Sequence, residues 1–182
     1  MHITPFSQDT KSMTDKKKPL RCLLHNSRSA VKPASDVADT IVVNEIDIAI
    51  LTETWLTVAS SPCLDLLVPP NYNLIRRDKP DRTGGGIACS HRDNIIVIQS
   101  KSDLLSSSEC MGLDILTEDE LQSKLHTFYH PLGSKVLFIE QLMKLITTHF
   151  PLHNNEIYPG DFNLHWNDGN DKMVNTLKEF LA

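Results

Sequence analysis

The stretch that most constrains this chain is IDIAILTETWL, residues 46–56. It opens with an almost continuous apolar run of strand length, and a strand without polar alternation has to be covered on both faces. The chain must therefore build a sheet with further layers around it. At Thr52 the run turns abruptly polar, and Glu53 stands at the strand's end. A carboxylate in that place costs desolvation free energy unless a cation or hydrogen-bond donors surround it. Glu53 thus reads either as a ligand-bearing residue or as an exposed Glu opening a loop.

With 182 residues, 40% hydrophobic and 23% charged, the composition suits one globular domain and excludes disordered and collagen-like chains. No apolar run approaches the ~18 residues of a membrane span, and MHITPFSQDT lacks the apolar core of a signal peptide. The four cysteines are scattered without a CxxC pair and read as reduced, mostly buried thiols. The expectation is an intracellular protein without a membrane partner. Residues 1–19 read as a flexible basic leader whose KKK run also fits a nuclear address, and residues 20–182 as the domain. Residues 1–20 carry +2 of the net −5, which leaves −7 on the body. An acidic body does not grip nucleic acid by bulk charge, but it suits carboxylates that hold a cation.

Strands are expected at RCLLHN (21–26), YNLIRRD (72–78), GIACSH, NIIVIQ, ECMGLDIL (109–116), LHTFYH (125–130) and EIYPGDFN (156–163). The three from YNLIRRD to NIIVIQ read as consecutive antiparallel neighbours, after a Pro- and Ser-rich loop. Helices are expected over 33–44, 134–150 and 171–181, the second with Val136, Ile139, Leu142, Met143 and Ile146 on its apolar stripe. Helices mixed with antiparallel strands indicate an α/β or α+β class with sheets covered by helices.

Two other places end hydrophobic strands in chemistry-bearing residues. Asn26 closes the first strand. In GDFN, Gly160 permits a tight turn, and Asp161 and Asn163, two apart, leave an extended segment on one face with Phe162 on the other. An acceptor beside an amide is what orienting a water and holding a phosphate oxygen require. Arg76, Arg77, Lys79, Arg82 and Arg92 are the candidates for touching a nucleic-acid backbone, or else solvated ion pairs among Asp78, Asp81 and Asp93.

Taken in order, HNSRS, LTETWL, RRDKPDRTGGGIA (76–88), FYHP (128–131) and GDFN resemble the endonuclease/exonuclease/phosphatase superfamily, and within it the endonuclease domain that begins the pol protein of LINE-type retrotransposons. The resemblance runs from about residue 20 to the end. It implies a four-layered α/β sandwich, two mixed sheets flanked by helices, incomplete at the C-terminus. It implies Mg²⁺ (or Mn²⁺) at Glu53, with Asn26 and Asp161 nearby. Tyr129 would contact the phosphate, Asp161 would orient or deprotonate water, and Asn163 would stabilise developing charge. The implied activity is metal-dependent nicking of DNA. Two departures stand out: His130 occupies the place of a phosphate-binding Arg, and the family's C-terminal Asp–His pair has no counterpart after GDFN. Impaired catalysis, an inactive remnant that binds nucleic acid or protein, and a phosphatase of the same superfamily therefore stay open. Target preference and oligomeric state are not readable from the residues.

Overall fold

A computed structural model describes residues 19–30, 34–57, 59, 61–79, 84–100, 105–117, 122–133, 135–149 and 155–182. The leader through residue 18 and Arg82 lie outside the described residues. The elements are β1 (Cys22–Asn26), α1 (Ala34–Val43), β2 (Ile48–Thr52), α2 (Ser61–Leu67), β3 (Tyr72–Arg77), β4 (Ile87–Arg92), β5 (Ile96–Ser100), β6 (Glu109–Leu116), β7 (Gln122–Tyr129), α3 (Lys135–His149), β8 (Glu156–Ile157), β9 (Gly160–Asp161) and α4 (Lys172–Leu181).

The strands form two mixed sheets. The first has the order β1-β2-β4-β3, with β1 and β2 parallel and the other pairs antiparallel. The second has the order β5-β6-β7-β8, and β9 also pairs with β7, both β8 and β9 running parallel to it. All five residues of β2 are buried, and alternation sends them to two cores. Ile48 and Ile50 pack between the sheets with Cys89, Met111, Leu113 and Ile115, while Ala49 and Leu51 pack outward with Val37 and Ile41 of α1. On the far side, Cys110 and Phe128 meet Phe138, Ile139 and Leu142 of α3 and Leu177 of α4. The result is four layers, helix, sheet, sheet, helix, as the resemblance implied. Among the described residues no helix is long and apolar enough to cross a membrane.

Five expectations need correcting. The Pro- and Ser-rich loop contains α2, whose Leu67 is fully buried beside α1; tertiary cover there overrides weak local signals. Strands β4 and β5 do not pair, because the chain crosses after Arg92 into the second sheet. The turn between them let both read as one hairpin, and only the opposing sheet decides otherwise. In α3 the buried face is Phe138, Ile139, Leu142 and Leu145, with Val136 exposed, so the stripe is rotated toward the aromatic ring. The segment 156–163 is broken, strand pairing returning for only two residues at Gly160. All four cysteines are free, but Cys22 is exposed and only Cys89 and Cys110 are buried.

Candidate active site

Parallel pairing sets the position of the site. Because β1 runs parallel to β2 and β9 parallel to β7, the C-terminal ends of all four reach one edge of the sandwich, with Asn26 opposite Thr52 and Asp161 opposite Tyr129. Beyond the first pair the backbone stays laced. Ser27 N–H donates to the Thr52 carbonyl at 3.0 Å, Ser29 N–H to the Glu53 carbonyl at 2.8 Å and Ala30 N–H to the Thr54 carbonyl at 2.8 Å.

At this edge the Asn26 side chain bridges the two sheets. The Asn26 amide donates from Nδ2 to Glu53 Oε1 at 2.9 Å and to Asp161 Oδ2 at 2.5 Å, and its Oδ1 accepts from Arg28 N–H at 3.1 Å. Glu53, Asn26 and Asp161 are thus brought together, as the resemblance implied. Tyr129 joins them by a hydrogen bond to Glu53. Burial first, and then the Glu53 charge and that hydrogen bond with Glu109 and Asp161 behind them, push its phenol up to about 12. Tyr129 is therefore a protonated donor throughout the neutral range. Among the described residues neither Glu53 nor Asp161 has an ion-pair partner, since Lys79 pairs with Glu109 at 2.9 Å and Arg76 with Asp78 at 3.4 Å.

The backbone here is held in unusual conformations. Of the non-glycine residues with positive φ, Arg28, Ser29, Glu53, Trp55 and Asn163 all belong to this edge, Glu53 at 51° and Trp55 at 53°. Each such residue costs roughly 1–3 kcal/mol and persists only where its surroundings over-determine it. What holds the Glu53 turn is the GGG segment. Thr54 N–H donates to the Gly86 carbonyl at 3.2 Å and Trp55 N–H to the Gly85 carbonyl at 2.9 Å. Gly86 has φ 87°, and a Cβ there would run into Thr54 Oγ1. The Gly86 N–H in turn donates to Glu109 Oε2 at 2.6 Å. Glu109 was not singled out in the sequence; the available signal was a carboxylate opening the apolar strand ECMGLDIL.

GDFN departs from simple alternation. Phe162 does pack into the core with Phe128 and Phe138. Strand pairing ends at Asp161, however, and Asn163 takes φ 47°, with its N–H on Asp161 Oδ1 at 3.2 Å and its amide Nδ2 on the His130 carbonyl at 2.7 Å. Its side chain anchors the loop to the end of β7 rather than standing beside Asp161. Gly160 is required for close approach, because a Cβ would strike the Phe128 backbone. His130 is buried and stacked on Phe138 with centroids 4.4 Å apart, and burial lowers its pKa. A neutral ring in that place cannot act as a phosphate-binding Arg would. The arginines are also committed. Arg76 donates to the Thr57 carbonyl at 3.3 Å, Arg77 reaches across to the Cys110 carbonyl of the second sheet at 2.5 Å, and Arg92 holds Asp47 at 2.9 Å. They act first as braces between elements.

On donor chemistry the site fits a hard, partly hydrated ion. Mg²⁺ takes one or two carboxylates and keeps several waters, which is what Glu53 and Asp161 offer. Among the described residues no group of three or more His, Cys, Asp and Glu could enclose an ion, so a zinc cage does not fit.

No family model matches the chain, and no curated protein matches it. Solved structures do. A mannosyl-6-phosphatase of Bacteroides thetaiotaomicron VPI-5482 superposes with a TM-score of 0.65 at 14% identity, over 88% of this chain and 70% of that one. The endonuclease domain of TRAS1, a telomere-specific non-LTR retrotransposon, gives 0.63 at 19% identity over 90% and 69%. An endonuclease/exonuclease/phosphatase family protein from Bacteroides thetaiotaomicron gives 0.63 at 14% over 88% and 68%. The chain shares the two-sheet α/β fold of these three proteins.

Proposed function

We propose that this chain hydrolyses phosphodiester bonds in DNA as a nicking endonuclease of the retrotransposon type, with a hydrated Mg²⁺ or Mn²⁺ held by Glu53 and Asp161. The observation that carries the proposal is the Asn26 amide, which ties carboxylates from two different sheets to one point, with no cation among the described residues paired to them. When bound, a divalent ion would offset charge on the phosphate and on the leaving oxygen.

The chain's own residues do the remaining work. Asp161, fixed at Oδ2 by Asn26, accepts a proton from the attacking water or orients it. Tyr129 stays protonated, and its one O–H, given to Glu53 in this structure, would pass to a phosphate oxygen once the Glu53 carboxylate is taken by a metal ion. Asn163 keeps one amide N–H on the His130 carbonyl, which leaves the other for substrate. A modest rate belongs to the proposal, because His130 is locked in the core and contributes neither proton nor charge. The free thiols suit an intracellular setting.

A plasmid-nicking assay tests the reading. Conversion of supercoiled to relaxed circles is expected with Mg²⁺, and none with EDTA or with Glu53→Ala. Metal-dependent cleavage of phosphomonoesters without nicking would favour the phosphatase reading, which the likeness to the mannosyl-6-phosphatase supports. Glu53-independent DNA binding without any turnover would leave a nucleic-acid-binding module.

A further inference from the structure

From Asp161 a cavity of about 390 Å³ extends beyond the hydrolytic residues. Asp161 and Asn163 are part of its lining, together with Leu132, Leu164, His165 and Trp166. Two of these are apolar side chains in water: Leu132 is 86% exposed and Trp166 45%. A tryptophan left so exposed forgoes much of the largest hydrophobic gain a side chain offers, and here it forgoes it within a cleft continuous with the candidate active site.

The loop that presents Trp166 is built rather than loose. Trp166 N–H donates to the Leu164 carbonyl at 2.8 Å, and Asp168 N–H to the His165 carbonyl at 2.9 Å. Upstream, Asn163 is pinned to His130. Downstream, Asp171 caps α4 through the N–H groups of Met173 and Val174 and pairs with Lys135 at 3.2 Å. Lys178 of α4 places its ammonium 5.3 Å from the centroid of the Trp166 ring. An indole with a cation against it, fixed at both ends of its loop, is a preformed flat surface with positive charge at hand.

We infer that this cleft is a stacking subsite for one nucleobase, adjoining the nucleotide whose phosphate lies at Glu53 and Asp161, and that the base it takes is unstacked, from single-stranded or locally opened DNA. The inference rests on the function proposed above and deepens it. Every base has a π-face that an aromatic side chain can meet without reading sequence. Inside a duplex those faces are covered by neighbours, so stacking on Trp166 requires a base out of the stack. A sugar fits less well. Sugar recognition needs several convergent polar groups, whereas here Asp161 Oδ2 is taken by Asn26 and one of the two Asn163 amide N–H groups by the His130 carbonyl, and Leu132, Leu164 and Trp166 are apolar. The volume lies in the ordinary range for small-ligand sites, ~300–1,000 Å³.

The test uses the full chain in EDTA, so that nothing is cleaved, and measures fluorescence anisotropy with labelled oligothymidylate and with an abasic oligomer of the same length. Wild type is expected to bind the base-bearing strand more tightly. Trp166→Ala should weaken that binding by roughly 5- to 150-fold, the range for one base on one aromatic ring, and leave binding of the abasic strand unchanged. Trp166→Phe should keep most of the affinity, and circular dichroism should show each variant folded. Equal binding of both strands by wild type, or a folded Trp166→Ala that binds oligothymidylate as wild type does, overturns the subsite; if Glu53-dependent nicking persists in that case, the proposed function stands without it. Absence of both oligonucleotide binding and nicking, with binding of mannose 6-phosphate instead, overturns the two together.

Discussion

Strand β2 carries a carboxylate at each end, and the two live differently. Asp47, just before the strand, is 9% exposed and fully answered: Arg21 N–H donates to Oδ2 at 2.8 Å and Arg92 Nε to Oδ1 at 2.9 Å. Arg92 is steadied in turn over the Tyr72 ring at 5.3 Å. Glu53, just after the strand, meets an amide and a phenol, with another carboxylate held to that same amide. One end is neutralised within the chain. The other is held in place by neutral donors on a backbone turn with φ 51°. The contrast is one of counter-charge: the Asp47 carboxylate has an arginine supplied to it, whereas the Glu53 carboxylate, which the proposed function puts to work, is positioned by neutral donors alone among the described residues.

The sharpest break of this contrast is a matched pair of substitutions. Glu53→Gln keeps the shape but removes the charge, and nicking is expected to fall by ~10²-fold or more while the melting temperature holds or rises. Asp47→Asn should do the reverse. It leaves Arg92 without its partner and is expected to cost about 1.5–3 kcal/mol, the worth of hydrogen bonds to a charged group, lowering Tm by roughly 3–12 °C for a chain of this size. Activity per folded molecule should be unchanged. If Asp47→Asn abolished turnover in folded protein, the division between the two ends would fail.

Next in size is the brace. Gly86→Ala puts a Cβ against Thr54 Oγ1 at φ 87°, so a loss of about 1–3 kcal/mol is expected, together with reduced nicking because Thr54 adjoins Glu53. Gly133→Ala, where the nearest atom is 3.6 Å away and φ is not positive, is the control and should be near neutral in thermal melts. Equal effects of the two would show that the GGG segment does not hold the Glu53 turn.

The smallest effect is in pH. Tyr129 is raised to about 12 from an ordinary 10, so between those values the folded state keeps a proton that the unfolded state has lost. Its contribution to stability is whole below pH 10 and is lost as pH rises toward 12. In Tyr129→Phe that loss should be absent, which denaturant titrations across pH 9–12 can measure as a difference from wild type. Near neutrality Tyr129 should leave the pH–rate profile flat. An ionisation at pH 7–8 that vanishes in Tyr129→Phe would contradict the donor role given to it.

Much of the fold was legible because its signals are local. The apolar run at Ile48–Leu51 announced a doubly covered strand, and ECMGLDIL matched β6 at both ends. Expectations failed where a distant partner decides: α2 exists because α1 offers a surface to cover, and β5 leaves its neighbour because β6 lies in the other sheet. Of the site, Glu53, Asn26 and Asp161 were readable as polar residues ending apolar strands. Glu109 was not, since its work is a bond to Gly86 N–H across 23 positions.

What the sequence by itself determined is residue chemistry and the periodicity of short segments, for these depend on neighbours a few bonds away. Only the tertiary structure decided that the Asn26 amide would join carboxylates 27 and 135 positions distant, that Asn163 would turn from Asp161 to the His130 carbonyl, and that of the two arginines in RRD Arg76 would hold the Thr57 carbonyl while Arg77 braces the two sheets. Hydrogen bonds act over about 3 Å whatever the separation along the chain, so which groups come within that reach is fixed by parallel strand register and sheet stacking rather than by their order in the sequence.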